Sequence, residues 1–327
     1  SANITSLLAL ILLIFAFIIS DFSVKNVLLN SSSELPAIYK IAASWASHEG
    51  SMLLFIALLA GVALAYIWHL NNLQGEQELA ITIFAFLQAL LLGFLILTSN
   101  PFENFRFAPK QGLGLNPMLQ DVALSIHPPI LYIGNVSYAA LFASGFLLLG
   151  FPKDTKEILG IAKIFSSFAL LFLSLGIGLG AWWAYRELGW GGYWFFDPVE
   201  NISLMPWLGG IALHHFLIVS AKGGKYLKWV IALSLANFLL ILYGTFIVRS
   251  GIISSVHSFA FSPERGLYIF AICLALTILS IGYFLWKKKF LPKPKTKPNH
   301  FESLILWGNI LWITSLLAII ITLIYPI

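Results

Sequence analysis

Charged residues and cysteine are scarce in this sequence. Asp, Glu, Lys and Arg make up 10% of its 327 residues, whereas a soluble globular protein carries about 25%. This shortage excludes a soluble enzyme, and it also excludes a coiled coil or a disordered chain, since both depend on charged or polar residues. The single cysteine, Cys273, excludes an intrachain disulfide and a cysteine-based metal cage. Because 59% of the residues are hydrophobic, the composition predicts a polytopic membrane protein.

Nine apolar segments are long enough to cross a membrane as helices, because a crossing needs about 20 mostly apolar residues. The predicted fold class is therefore all-α, a polytopic transmembrane helical bundle of about nine spans that forms one domain over 1–327. Pro128 and Pro129 are expected in the first turn of the fourth span, where proline is tolerated. The spans are predicted near 3–20, 51–68, 79–98, 128–149, 161–181, 202–220, 228–248, 266–286 and 303–324.

Lysine and arginine are divided unequally between the two faces that these spans define. The connections after the second, fourth, sixth and eighth spans hold twelve, and the opposite face holds seven. The positive-inside rule places the first face in the cytoplasm. A basic cytoplasmic linker at about 287–300 is predicted to be solvated or to contact lipid headgroups, and no nucleic-acid partner is expected. The longer loops, 21–50, 99–127, 182–201 and 249–265, are then expected on the outer face.

The segment 182–201 concentrates aromatic residues, with eight of them among residues 182–196. An interfacial aromatic belt is one interpretation, but belts are spread over several helix ends. We favour a binding platform, because flat rings stack on a flat apolar ligand and indole N–H groups donate to carboxylates. A porphyrin with two propionates fits this description, and a quinone fits it less specifically. The candidate binding residues are Trp182, Trp183, Tyr185, Arg186, Trp190, Tyr193, Trp194, Phe195 and Asp197.

Histidines on the same face make a haem the better candidate. His127 and His257 lie in the loops on either side of the aromatic segment in the sequence. A neutral imidazole is the commonest metal ligand, and haem iron accepts one from each side. Each histidine alone would more often be a simple hydrogen-bonding residue. Within the sixth span, His214 and His215 are functional candidates because ionisable residues are costly in a bilayer. Neighbouring residues on a helix point in different directions, so the two cannot bind one iron.

Three glycines in the fifth span, Gly176, Gly178 and Gly180, resemble a dinucleotide-binding motif. Such a motif requires a preceding strand, and these residues lie inside an apolar helical segment. Close helix packing is therefore the favoured interpretation.

Several motifs together resemble a known family. The stretch Trp182–Asn201 resembles the WWD signature of haem-handling membrane proteins. Four segments narrow the resemblance to the CcmF family of cytochrome c-type biogenesis proteins. They are Trp45–Ser51 (WASHEGS), Ile126–Tyr132 (IHPPILY), Trp190–Trp207 (WGGYWFFDPVENISLMPW) and Val248–His257 (VRSGIISSVH).

This resemblance implies a haem lyase of the system I cytochrome c maturation pathway, an enzyme of the holocytochrome c synthase type with no assignable catalytic residue. Such proteins receive haem b from the haem chaperone CcmE and place it against the CXXCH motif of reduced apocytochrome c. The haem vinyl groups then form thioethers with the two thiols. A CcmH-type thiol-handling protein is a further expected partner, besides membrane lipid. The expected location is the bacterial inner membrane, or the mitochondrial inner membrane if the source is an organelle, with the aromatic segment on the periplasmic or equivalent face.

The resemblance also implies ligands. His127 and His257 match the axial ligands of the outer haem iron, and His215 matches one ligand of a second, buried b-type haem. Arg186 or Arg249 is expected to bind a propionate, unless it pairs with Glu187 or Glu200 instead.

This sequence departs from the family in two respects. Tyr193, Phe195 and Phe196 stand where the family often has tryptophan, which removes an indole donor at each position. The family also has an earlier helix and further segments after position 327, so a fragment or one half of a split protein is expected. Two other functions stay open, a transmembrane haem transporter and an assembly scaffold that binds no haem.

Overall fold

The computed structural model describes residues 2–105, 109–189, 191–253, 255, 262–294 and 297–325. Over these ranges the regular secondary structure is helical, apart from one isolated bridge between Val24 and Asn104. The helices are α1 (Ala2–Ile18), α2 (Lys25–Asn30), α3 (Ala37–Ala46), α4 (His48–His69), α5 (Gln74–Thr98), α6 (Val122–Gly150), α7 (Thr155–Glu187), α8 (Pro198–Ser220), α9 (Leu227–Ser250), α10 (Pro263–Lys287) and α11 (His300–Ile324).

Eight of these helices, α4 to α11, are long and apolar enough to cross a membrane, so the chain is an integral membrane protein and the predicted helical bundle is confirmed. The first predicted span differs. Its helix, α1, has 17 residues, about 25 Å at 1.5 Å per residue, which is less than the hydrocarbon thickness of about 30 Å. Thr5 and Ser6 line a cavity with Leu53 and with residues 92–102. Helix α1 is shorter than the eight spanning candidates.

The fourth span also begins earlier than predicted. Helix α6 starts at Val122, and the Asp121 side chain caps it by accepting from the Leu124 N–H. Pro128 and Pro129 consequently lie inside the helix and not in its first turn. The cap decides the start, because a carboxylate that accepts an otherwise unpaired backbone N–H stabilises a helix by about 1 kcal/mol.

The two ends of the bundle differ in their connections. The long connections meet at one end, which we call the loop end: Trp45 Nε1 donates to the Ser125 carbonyl, and Ser33 N donates to Gln111 Oε1. At the other end, which we call the lysine end, the Lys225 ammonium lies 2.6 Å from Glu302 and ties the α8–α9 connection to the start of α11.

Helix α6 is the centre of the bundle. Buried residues make up 83% of its most apolar stretch, against 11% for α11 at the periphery. Glycine allows its close approach to α7: a Cβ on Gly134 would lie 2.7 Å from the Leu173 backbone nitrogen, and one on Gly176 would lie 2.7 Å from Leu131 Cα. Small residues at a helix interface allow backbones to approach in this way.

Candidate functional site

The aromatic segment is half helix and half loop, which the sequence analysis did not predict. Helix α7 continues through Trp182, Trp183 and Tyr185 to Glu187 and has 33 residues, about 50 Å. The helix ends where the backbone turns left-handed at Gly189 and Gly191, with φ of 68° and 74°. Nothing before Gly189 requires the helix to stop, so α7 continues through the first six residues of the aromatic segment.

The helical half separates the aromatic residues onto two faces. Trp182 and Tyr185 are exposed, whereas Trp183 is 3% exposed and its indole N–H donates to the Met118 carbonyl at 3.3 Å. Tyr193, from the loop, stacks on Tyr185 with ring centroids 4.4 Å apart and planes 13° from parallel. Phe195 is also exposed. We call Trp182, Tyr185, Tyr193 and Phe195 the exposed aromatic surface.

The charged residues that follow this surface hold the start of α8. Asp197 caps the helix by accepting from the Val199 N–H at 3.0 Å. Glu200 accepts in return from the backbone N–H groups of Asp197 and Phe195. The bond to Phe195 also fixes the loop next to Trp194, which is partly buried. Asp197 accepts as well from the Ser255 hydroxyl at 2.7 Å. Asp197, a predicted haem-binding residue, therefore has a structural role in this fold.

His127 lies near the start of α6 and faces α7. Its Nδ1 is 2.7 Å from the Gly176 carbonyl, and a Cβ on Gly180 would come within 2.7 Å of its ring. A carbonyl only accepts, so Nδ1 carries the hydrogen and Nε2 keeps the lone pair that a metal requires. Ligating histidines in proteins are typically oriented by such a bond.

A cavity of about 420 Å³ lies next to His127, between helices α3, α4, α6, α7, α8 and α9. This volume falls within the range of about 300–1,000 Å³ that small-molecule sites occupy. The wall is mostly apolar and carries a few polar groups. Its members include Trp45, Ser51, His127, Tyr132, Trp183 and Arg249.

Arg249, a predicted propionate partner, is 3% exposed and forms part of this wall. Its guanidinium donates to the His48 carbonyl at 2.6 Å and to the Ser51 hydroxyl at 2.9 Å. These bonds join the end of α9 to the start of α4, where Ser47 is the cap residue. Neither Ser51 nor the carbonyl of His48 is recognisable in the sequence as a partner of Arg249, because a polar residue at a helix start is indistinguishable from an ordinary cap.

Arg186, the alternative propionate partner, lies in the last turn of α7. Its guanidinium is 3.0 Å from the Asp121 carboxylate and 5.2 Å above the centroid of Trp182. Asp121 therefore caps α6 and pairs with α7 at the same time, which holds the helix of His127 against the helix of the exposed aromatic surface.

His215 lies deep in α8, and Asn309 of α11 faces it. The His215 Nδ1 is 2.9 Å from the Asn309 amide oxygen. His214 points to a different helix, since its Nδ1 lies 3.2 Å from the Ser166 hydroxyl of α7. Within the described ranges, no group of three or more His, Cys, Asp or Glu could hold a metal ion.

Two predicted site residues, Trp190 and His257, lie outside the described residues. Ser255, two residues before His257 in the sequence, is described, and its hydroxyl donates to Asp197 at the start of α8.

Comparison with known proteins identifies the family. A family model described as "Cytochrome C assembly protein" matches residues 45–254. "Cytochrome c-type biogenesis protein CcmF" of Haemophilus influenzae is 41% identical over 319 residues, which cover 96% of this chain and 49% of that protein. The protein of the same name from Escherichia coli is 38% identical, covering 97% of this chain and 50% of its own length.

A solved structure, "Cytochrome c Heme Lyase CcmF", superimposes with a TM-score of 0.78 at 25% identity, covering 99% of this chain and 49% of that one. The chain thus spans about half the length of the relatives that it matches. The match includes His127, the aromatic segment and Arg249, which are the residues that form the cavity and its surroundings. The chain therefore belongs to the cytochrome c assembly protein family.

Proposed function

We propose that this chain is the membrane core of a cytochrome c haem lyase. It would hold haem at the loop end while the haem is attached to a CXXCH motif of apocytochrome c. The main support for this proposal is the orientation of His127. Its Nδ1 is held by the Gly176 carbonyl, and it lies beside a cavity that Trp183 and Arg249 also line. The match to proteins named for cytochrome c biogenesis supports the same function.

The haem is the substrate at this site, and the contribution of the chain is to position it. His127 and His257 would bind the iron from opposite sides, and the exposed aromatic surface would fix the ring plane by stacking. Arg249 or Arg186 would bind a propionate, since guanidinium groups pair well with carboxylates. Haem would arrive from the chaperone CcmE and the reduced apocytochrome from a CcmH-type protein. The loop end would then face the periplasm of a bacterial inner membrane.

A second haem, of b type, would be a resident cofactor with His215 as one ligand. When bound, such a haem supplies electrons that keep the substrate iron reduced. The donor set fits this group because the His215 Nδ1 is bonded to an amide oxygen, which leaves Nε2 as the ligating atom.

The test is haem binding by the purified chain in detergent, followed by absorption spectroscopy. We expect a haem band that weakens in His127→Ala and His257→Ala. His300→Ala is the matched control, because His300 is an exposed residue at the lysine end. A colourless protein that still binds CcmE would favour a scaffold instead. Haem uptake into sealed vesicles without CcmE would favour a transporter. Equal binding by all three variants would refute the outer ligand assignment.

A further inference from the structure

The contact between α8 and α11 contains an asparagine whose hydrogen bonds are fully defined. Asn309 is 0% exposed. Its amide nitrogen donates to the Ala212 carbonyl at 3.2 Å, and its amide oxygen lies 2.9 Å from the His215 Nδ1. The opposite orientation of the amide would place its oxygen against the Ala212 carbonyl, and two acceptors repel each other. The amide oxygen is therefore fixed toward the imidazole.

An amide oxygen accepts hydrogen bonds and cannot donate them, so it selects one form of the neutral imidazole. His215 must carry its hydrogen on Nδ1, and its lone pair is then on Nε2. His214 provides the contrast within the same helix turn. Its partner is the Ser166 hydroxyl, which can donate or accept, so that contact selects no tautomer.

We propose that Asn309 is a positioning residue for His215, fixing the ring and the Nδ1–H tautomer so that Nε2 binds the iron of the buried haem. This inference rests on the proposed function, because it concerns the resident haem named there. Ligating histidines usually donate their second N–H to a carboxylate, a carbonyl or water. A neutral amide makes the imidazole less electron-rich than a carboxylate would, and it therefore favours reduced iron.

A purely structural Asn309 would hold α11 against α8 without affecting the chemistry of His215. Interhelical hydrogen bonds of this kind are common in membranes. The two roles differ in what they predict for the tautomer of His215, for haem affinity and for the reduction potential of the haem.

The first experiment is ¹⁵N NMR of the haem-free, histidine-labelled full chain in detergent, with His215→Ala to assign the resonances. We expect protonated Nδ1 and unprotonated Nε2 for His215, and a loss of this pattern in Asn309→Leu. Ser166→Ala is the matched control and should leave the His215 resonances unchanged. Protonation of His215 on Nε2, or the same spectrum in Asn309→Leu, would overturn the inference.

The second experiment is titration with ferrous haem in a His127→Ala background, which weakens the outer site. We expect binding that His215→Ala abolishes and that Asn309→Leu weakens by about 10- to 100-fold, as for other residues that orient ligands. Asn309→Asp should retain binding, because a protonated carboxyl can donate to the Ala212 carbonyl while its other oxygen accepts from the His215 Nδ1. An unchanged affinity and reduction potential in Asn309→Leu would overturn the inference and leave the proposed function standing.

The same titration tests the proposed function separately. Absence of binding, or binding that survives His215→Ala, would refute the buried haem itself, while the NMR result would still decide the role of Asn309 in the tautomer. If Asn309→Leu does not fold, the NMR spectrum of the wild type decides, because protonation of His215 on Nε2 contradicts the proposal.

Discussion

Substituting Gly180 by alanine tests whether α7 holds His127 in place. An added Cβ would lie 2.7 Å from the His127 Cε1 atom and 3.1 Å from its Nδ1. The ring would have to retreat by about 0.7 Å to reach an ordinary contact of 3.4 Å. A retreat away from α7 lengthens the 2.7 Å bond to the Gly176 carbonyl toward about 3.4 Å, which exceeds the usual limit of about 3.2 Å.

Gly180→Ala should lower the free energy of unfolding for two reasons. Overpacking costs about 1–3 kcal/mol, and the loss of one hydrogen bond costs about 1 kcal/mol. Because ligand-orienting bonds affect metal affinity by about 10- to 100-fold, we expect Gly180→Ala to weaken haem binding by at least about 10-fold. The assays are haem titration monitored by absorption and thermal unfolding in detergent.

Gly178→Ala is the control, since an added Cβ there meets nothing within 4 Å. It should bind haem as the wild type does, and its stability should be equal or slightly higher because alanine favours a helix. Wild-type affinity and stability in Gly180→Ala would refute the reasoning, since α7 would then not determine where His127 lies. Equal loss in both variants would also refute it, because the effect would not depend on contact with the ring.

Three further substitutions test the contacts around the site and at the lysine end. Asp121→Ala should lower the free energy of unfolding by about 1 kcal/mol, because it removes the α6 cap. Asp121→Asn retains the cap and loses only the ion pair to the half-exposed Arg186. Thermal unfolding should therefore show a smaller effect for Asp121→Asn than for Asp121→Ala. Arg249→Gln should destabilise the chain by about 2 kcal/mol or more, because charged donors to two buried acceptors are lost; an unchanged melting temperature would contradict the bridge between α9 and α4. Lys225→Met should lower the melting temperature more than the double variant Lys225→Met/Glu302→Gln, since the single change leaves a carboxylate without its ion pair.

The helical bundle was predictable because a bilayer leaves the backbone few alternatives. A spanning segment must satisfy its own N–H and C=O groups, so apolar length alone indicates a helix. The first predicted span, 3–20, corresponds to a helix of 17 residues, which is shorter than the eight spanning candidates, because apolar composition predicts a helix but not the residue at which it ends.

The aromatic segment shows where sequence patterns fail. Its composition indicated a binding surface but not the helix that continues to Glu187. In retrospect, Gly189 was the signal for the helix end, because glycine readily adopts the left-handed backbone that ends a helix. The division between the buried Trp183 and the exposed Trp182 follows directly, since neighbouring residues on a helix point about 100° apart.

Local patterns also could not identify the groups that orient the histidines. Gly176 was correctly expected to allow close packing, but its carbonyl contributes to the site as well, because α6 comes close enough for His127 to reach it. A backbone carbonyl has no signature in a sequence. Asn309 is also 94 residues from His215, and a single asparagine in an apolar helix does not indicate its partner.

His127 and His215 share an arrangement that distinguishes them from another well-defined histidine of the described chain. Each bonds through Nδ1 to an acceptor-only oxygen on a different helix, the Gly176 carbonyl or the Asn309 amide. His69 also bonds through Nδ1 to a carbonyl, but the carbonyl belongs to its own helix, one turn earlier. The orientation of His127 and His215 therefore depends on the folded bundle. Ligating histidines are typically oriented by such bonds, and these two residues, together with His257, are the ligands that the motif resemblance implies.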